Sequence, residues 1–217
     1  MPQITSIKPQ KRKDRYNVFL DGNFGFGIDS ENLIKFGLKV NKILTRDQIK
    51  KIGQEDLRKK LTDLTLNYLS FRQRSKEEIL NYLAKKITKL ESIKFKEAKE
   101  ASVVNLIINK LEKIHLIDDK EFARNFIESK TRFAKKGKRL IKLELIQKGI
   151  KKDVIDDLLK DHIDDLKIAL AAVQKKTSKW QNLERNAKKR KIFEYLTRRG
   201  FDFETCQKVF AKLDKKR

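Results

Sequence analysis

Three segments of this chain follow one pattern, and that repetition restricts the fold more than any other feature. They cover residues 75–83, 137–145 and 188–196, opening at Ser75, Gly137 and Lys188. In each, an isoleucine (Ile79, Ile141, Ile192) stands four positions before a leucine (Leu83, Leu145, Leu196). That spacing is one helical turn on one apolar face. The second and third segments run on into Lys148-Gly149-Ile150 and Arg199-Gly200-Phe201. Glycine there suits the left-handed residue that ends a helix, and the apolar residue after it can pack back on the last turn. A further helix follows each time, carrying Val154, Ile155, Leu158 and Leu159, then Cys206, Val209, Phe210 and Leu213. The stretch from Leu106 to Ile114 closes the first unit. A three-helix unit of about 50 residues buries little apolar surface alone, so neighbouring units should pack in a row.

The first 30 residues read differently. Tyr16 to Leu20 and Phe24 to Ile28 are β-prone runs, and Asp21-Gly22-Asn23 between them is a hairpin turn signal. Ile4 to Lys8 is a candidate third strand. Ser30 is placed to cap a short helix through Phe36, with Gly37 as its stop. Thr45 with Gln48 makes a capping box for another helix. Leu57, Leu61, Leu64 and Tyr68 then recur at helical spacing and read as a core-facing stripe. The expected fold is mostly α. It is an elongated tandem array of three-helix repeats with a small N-terminal β-hairpin and helix module. The divisions are 1–56 for the module and 57–110, 111–163 and 164–217 for the repeats.

Charge narrows the partners. The 217 residues hold 54 Lys and Arg against 30 Asp and Glu, a net charge of +24. Residues 124–152 hold 11 basic and 2 acidic groups, and residues 166–217 hold 16 and 5. Between them Asp153, Asp156, Asp157, Asp161, Asp164 and Asp165 reverse the sign. Such an excess points to a polyanion, and nucleic acid is the default because Lys and Arg release counterions from phosphates. A need for solubility accounts for part of the excess. The single Cys206 excludes an internal disulfide framework and a cysteine zinc site. No apolar run approaches the length of a membrane span, and the N-terminus lacks an apolar signal core. A cytoplasmic protein is expected, away from membranes.

No catalytic grouping stands out. Gly22, Gly25 and Gly27 sit in a hairpin pattern, with no Gly-Lys-Ser/Thr after them. His115 and His162 have no metal-ligand spacing, and His115 reads as a half-buried structural residue. Asp118 and Asp119 would be the only acid pair for a nuclease, but they read better as the start of the helix carrying Phe122, Ala123 and Phe126. Cys206 lies on an apolar face as a core residue. The chain is expected not to be an enzyme, with no cofactor and no metal.

Basic groups are the remaining chemistry. Arg72 and Arg74 precede Ser75, which with Glu78 forms a capping box. Lys135, Lys136, Lys138 and Arg139 flank Gly137. Arg185, Lys188, Lys189, Arg190 and Lys191 hold the matching place in the third unit. Cations at a helix start oppose the macrodipole, so an outside anion facing both amides and side chains is the expectation. Major-groove reading is disfavoured, because Val154-Ile155-Asp156-Asp157-Leu158 presents acid to phosphates.

These residues resemble a known family. Asn67-Tyr68-Leu69-Ser70-Phe71-Arg72-Gln73-Arg74-Ser75, with Glu78-Ile79 and Tyr82-Leu83, is similar to the first signature of the RecX regulatory proteins. Leu116-Ile117-Asp118-Asp119, Phe122-Ala123, Arg132 and Gly137 resemble the second, continued by Glu144-Leu145 and Lys148-Gly149-Ile150. Phe193, Leu196 and Arg198-Arg199-Gly200-Phe201 resemble the third. The likeness covers about residues 60–217, and the N-terminal module resembles that of RecX-like proteins of low-GC bacteria. Two departures are the Lys/Glu-rich stretch from Ile87 to Ala101 and Lys188 in place of Ser75 or Gly137.

The resemblance implies tandem three-helix repeats and regulation of the RecA recombinase. Such proteins bind the RecA–DNA filament and limit strand exchange and ATP hydrolysis. The expected partners are the RecA filament, single-stranded DNA and double-stranded DNA, and the chain is expected to be a monomer. The alternative resting on charge alone is a general DNA-binding protein without sequence preference. The candidate filament and DNA contacts are Arg72, Arg74, Arg132, Lys135, Lys136, Lys138, Arg139, Lys188, Lys189, Arg190, Arg198 and Arg199.

Overall fold

Asp21 and Gly22 both take positive φ, +48° and +84°. A two-residue turn of that kind matches the right-handed twist of the strands it joins. It links β2 (Arg15–Leu20) to β3 (Asn23–Asp29). β1 (Ile4–Pro9) pairs antiparallel with β2, so the hairpin read from the sequence is part of a three-stranded meander. The computed structural model describes residues 1–11, 14–174 and 176–214, and the side chains of Asp161 and His162 lie outside the description. Two compact units make up the chain: Met1–Arg72 with Tyr82–Asn109, and Gln73–Asn81 with Lys110–Arg217.

In the first unit, α1 (Ser30–Lys35) and α2 (Arg46–Ser70) follow the sheet. The cap of α1 is Asp29 rather than Ser30. Its carboxylate accepts from the Asn32 amide at 3.0 Å and the Asn32 side chain at 2.8 Å. Asp29 has extended backbone and Ser30 is already helical, so only the former can reach the first turn. The Thr45–Gln48 capping box forms as expected, at 3.2 and 2.8 Å. Ile4, Val18, Ile28, Leu38, Leu44 and Ile52 make the core under the sheet. α2 is a continuous 25-residue helix that runs through position 56. Of its apolar stripe only Leu61 is fully buried, while Leu57, Leu64 and Tyr68 are half-buried. The Tyr68 ring stacks on Tyr82 at 4.1 Å.

The Lys/Glu-rich stretch is helical. It forms the end of α3 (Lys76–Glu91) and the whole of α4 (Phe95–Glu100), with α5 (Ser102–Lys113) after it. Ile87 and Ala98 are buried there. His115 is exposed, not half-buried. It follows α5 with φ +55°, and its amide donates to the Glu112 carbonyl at 3.0 Å.

The second unit holds two complete repeats. α6 (Asp119–Arg132), α7 (Lys138–Gln147) and α8 (Lys152–His162) enclose one core. α9 (Asp165–Gln174), the short α10 (Thr177–Trp180), α11 (Arg185–Thr197) and α12 (Phe203–Asp214) enclose the next, with Cys206 inside. Burial raises the Cys206 thiol above its ordinary range. Ile79, Leu83, Ile141, Leu145, Ile192 and Leu196 are all 0% exposed, so the six residues that define the sequence repeat are its packing centres. The fold is mostly α, with twelve helices among the described residues. None of them is long and apolar enough to cross a membrane.

The glycines end their helices as expected, Gly149 at φ +78° and Gly200 at φ +84°. The amides of Ile150 and Phe201 return to the carbonyls of Leu145 and Leu196 at 3.1 and 3.2 Å. Both glycines are also seats for the preceding repeat. A Cβ at Gly149 would lie 2.4 Å from the Glu77 Cβ, and one at Gly200 would lie 2.3 Å from the Leu140 Cβ. Beside these seats the Ser75 hydroxyl donates to the Lys148 carbonyl at 2.7 Å, and the Gly137 amide donates to the Arg199 carbonyl at 2.8 Å.

Candidate nucleic-acid interface

The α6–α7 turn positions the basic residues at 132–139. Phe133 caps the C-terminus of α6, Lys135 takes φ +50°, and the Lys136 amide donates back to the Lys130 carbonyl at 3.1 Å. This tight path places Lys135 and Lys136 on one side of the turn. Facing them is the end of α11, where Arg199 donates to the Ala134 carbonyl and lies 4.7 Å from the centre of the Tyr195 ring. The two turns enclose a cleft of about 460 Å³, lined by Phe133, Lys135, Lys136, Tyr195, Arg198 and Arg199 among others. Phe133 is 73% exposed.

Four of the twelve candidate cations thus meet in one cleft, but they do different jobs. Lys136 pairs with Glu144, and Arg199 is tied to Ala134 and Tyr195. Arg198 is exposed and, among the described residues, is bonded to its own helix, donating to the Glu194 carbonyl at 3.2 Å. Lys138 and Arg139 line a different groove of about 410 Å³ beside Asp156 and Lys160. Lys142, also lining it, pairs with Asp156. The cluster read as one in the sequence is divided by the start of α7. Arg132 stacks on the Phe133 ring, 5.4 Å to the centroid, and sits 3.6 Å from Glu128. Arg72 is exposed and Arg74 partly buried, both in the connection between α2 and α3.

In the third repeat the expectation is corrected. α11 begins at Arg185 after Glu184, so Lys188 lies a turn inside the helix rather than at its start. Lys189 covers the rings of Phe193 and Phe210 at 5.8 and 5.9 Å, and Arg185 pairs with Asp214 at 2.8 Å. Arg190 and Lys191 approach Glu194 at 3.9 and 3.8 Å. The long cationic chains lie along their own repeat's surface, as amphipathic side chains do over apolar ground.

The starts of α3 and α7 are also not open to an outside anion. The first amide of α3, Lys76, donates to the Asp119 carboxylate at 2.8 Å. The first amide of α7, Lys138, donates to the Asp165 carboxylate at 3.2 Å. Ser75 and Glu78 form their capping box, both bonds at 3.2 Å. Each aspartate opens the first helix of the next repeat, so internal carboxylates satisfy the amides that a phosphate would need. Burial pushes the carboxyls of Asp119 and Asp165 above the ordinary aspartate range, against the pull of the donated amides. Asp118 has the expected role, accepting from the amides of Lys120 and Glu121 at 2.8 and 2.9 Å. Among the described residues no group of three acidic, histidine or cysteine side chains is placed to hold a metal ion.

Sequence reasoning missed Phe133 and Tyr195 in the cleft, and the reach of Asp119 and Asp165 into the preceding repeat. One signal for Phe133 was present. It stands four residues before Gly137, as Phe71 stands four before Ser75, each followed within three residues by two cations.

Tandem three-helix domains behind a small β module define a class of bacterial regulatory proteins. Residues 2–45 match the family model of the regulatory protein RecX N-terminal domain. Residues 118–159 match the second three-helix domain of RecX, and residues 163–210 match the third. The regulatory protein RecX of Listeria monocytogenes serotype 4b is 33% identical over 210 residues, covering 94% of this chain and 73% of its own. That of Bacillus pumilus is 34% identical over 215 residues, covering 98% and 78%. A crystal structure of regulatory protein RecX superposes with a TM-score of 0.66 at 29% identity, over 96% of this chain and 98% of that one. RecX from Lactobacillus salivarius gives 0.59 at 27% identity, over 74% and 98%. The chain belongs to the RecX family, which is a family of regulatory proteins and not a known enzyme family.

Proposed function

We propose that this chain binds the RecA–DNA filament and limits its strand exchange and ATP hydrolysis. Membership of a regulatory family supports the class of activity. The observation that carries the contact to DNA is the cleft of Lys135, Lys136, Arg198 and Arg199, open to solvent between two docked repeats. Cations that converge from two turns match a phosphate backbone better than cations spread over a helix surface. The chain works as a monomer in the cytoplasm, without a cofactor, on RecA together with single-stranded and double-stranded DNA. Lys135 and Arg198 are its leading phosphate contacts. Lys138 and Arg139 form a second contact surface in their own groove.

The second reading, a general DNA-binding protein, is favoured by the net charge of +24. One titration separates the two. RecA ATP hydrolysis on single-stranded DNA is followed as this protein is added, beside its binding to the same DNA without RecA. Filament regulation is expected to lower hydrolysis at amounts too small to cover the DNA. Inhibition only on DNA already coated, falling steeply with salt, would give the second reading the lead.

A further inference from the structure

Phe133 is a phenylalanine in an unexpected place. It is 73% exposed and belongs to neither core cluster of its unit. Phe122 and Phe126 lie against each other in one core, and Trp180 and Tyr195 meet edge to face in the other. Phe133 instead stands at the mouth of the cleft beside Lys135 and Arg198, with the Arg132 guanidinium on its ring. An isolated exposed ring among cations is a poor anchor for an apolar protein surface, because the lysines and arginines around it would have to be desolvated. It suits a ligand that offers a flat ring and a negative charge together.

Nucleic acid strands have that chemistry, and only unpaired bases expose a free face. In a duplex the faces are stacked, so its phosphates would engage the cations and leave the phenylalanine in water. A second observation points the same way. Phe71, the C-cap of α2, is 76% exposed and holds the same place before Ser75 that Phe133, the C-cap of α6, holds before Gly137. Each is followed by cations, Arg72 and Arg74 or Lys135 and Lys136. In the third repeat the position holds Glu184, so the device occurs where a further repeat follows. We propose that Phe133 is a base-stacking platform in a single-stranded DNA subsite, with Lys135 and Arg198 holding the flanking phosphates. This deepens the DNA-contacting part of the functional reading and rests on it.

The test uses the full chain without RecA and three fluorescent ligands: an oligothymidine strand, an abasic strand with the same number of phosphates, and a duplex. Phe133→Ala is expected to weaken binding of the oligothymidine strand about tenfold, the order of one lost base–aromatic stack. Binding of the abasic strand and the duplex should stay within about twofold, and the salt slope of oligothymidine binding should not change, since no charge is removed. Phe133→Tyr should restore binding, and thermal unfolding of Phe133→Ala should match the parent. Equal loss on oligothymidine and abasic strands, or no loss on either, would overturn the proposal. So would a variant that keeps all DNA binding yet loses effect on RecA, since the ring would then contact protein. If the stacking result holds and the parent chain leaves RecA hydrolysis untouched, the subsite stands and the regulatory reading fails.

Discussion

The Ser75 hydroxyl donates a 2.7 Å hydrogen bond to the main-chain carbonyl of Lys148, across 73 positions of sequence. The same oxygen accepts from the Glu78 amide at 3.2 Å. One side chain therefore caps its own helix and ties that helix to the next repeat. At the following junction Gly137 has no hydroxyl, and its amide makes the equivalent tie to the Arg199 carbonyl. The repeats are joined by the same contact made with different atoms.

The glycine seats should be more sensitive than an ordinary left-handed glycine. Gly200→Ala meets the Leu140 Cβ, while a Cβ at Gly22 meets nothing within 4 Å. Both have φ +84°. Gly22→Ala is expected to cost about 1 kcal/mol from backbone strain. Gly200→Ala adds overpacking, for a total of about 2–4 kcal/mol. Urea unfolding of the two variants measures the difference, and equal losses would show that the seat relaxes freely.

Asp119 and Asp165 tie the acid sensitivity of the junctions to burial. Their carboxyls bind protons more readily folded than unfolded. Their contribution to stability is therefore greatest in acid and falls as the pH rises from the ordinary aspartate value through the raised one. Asn at both positions keeps an acceptor for the amides of Lys76 and Lys138 and should flatten that slope. Asp119→Ala leaves the Lys76 amide without its carboxylate and should cost about 1 kcal/mol. Unfolding midpoints across the acid range measure both effects.

The N-terminal module should respond with the opposite sign. The Asp29 carboxyl is partly desolvated, which raises it. The Asn32 amide and Lys59, 3.0 Å away, outweigh this and hold it below the ordinary range. Its stabilisation is present above the unfolded value and is lost as the pH falls through the lowered one. The protection factors of β3 and α1 amides, corrected for the intrinsic exchange rate at each pH, should therefore fall in acid, and Asp29→Asn should remove that change.

Within the cleft, the cations should separate by their partners. Lys135→Ala and Arg198→Ala are each expected to reduce the salt dependence of single-strand binding by about 0.7 in the log–log slope, with little effect on unfolding. Lys136→Ala leaves Glu144 without its ion pair, and the other oxygen of that carboxylate is buried with no hydrogen-bond partner among the described residues. This variant should lose about 1–2 kcal/mol of stability. Anisotropy titrations over a salt series, paired with thermal melts, make the distinction.

The repeat was legible because its signals are local. Ile141 and Leu145 lie one turn apart, Gly149 ends the helix, and Ser75 with Glu78 announces its own start. The candidate site was legible as a list of cations and not as an arrangement. That Lys136 and Lys138, two residues apart, line different clefts depends on the left-handed turn at Lys135. That Asp119 serves Lys76 depends on repeat docking, which no periodicity within one helix carries. The α11 start lies at Arg185 because Lys188, at the place of the capping Ser75 and Gly137, is an ordinary helix former that lets the helix run back to Glu184.

The ties at the start of α3 have a consequence for the making of the protein. Lys76 waits for Asp119, 43 residues later, and Ser75 for Lys148, 73 residues later. At a ribosome speed of about 5–20 residues per second, the second tie lags by roughly 4–15 seconds. For that interval the nascent helix has only its own capping box. A chain whose Gly149 has cleared the ribosome can make both fastenings, while one that has not yet exposed Asp119 can make neither.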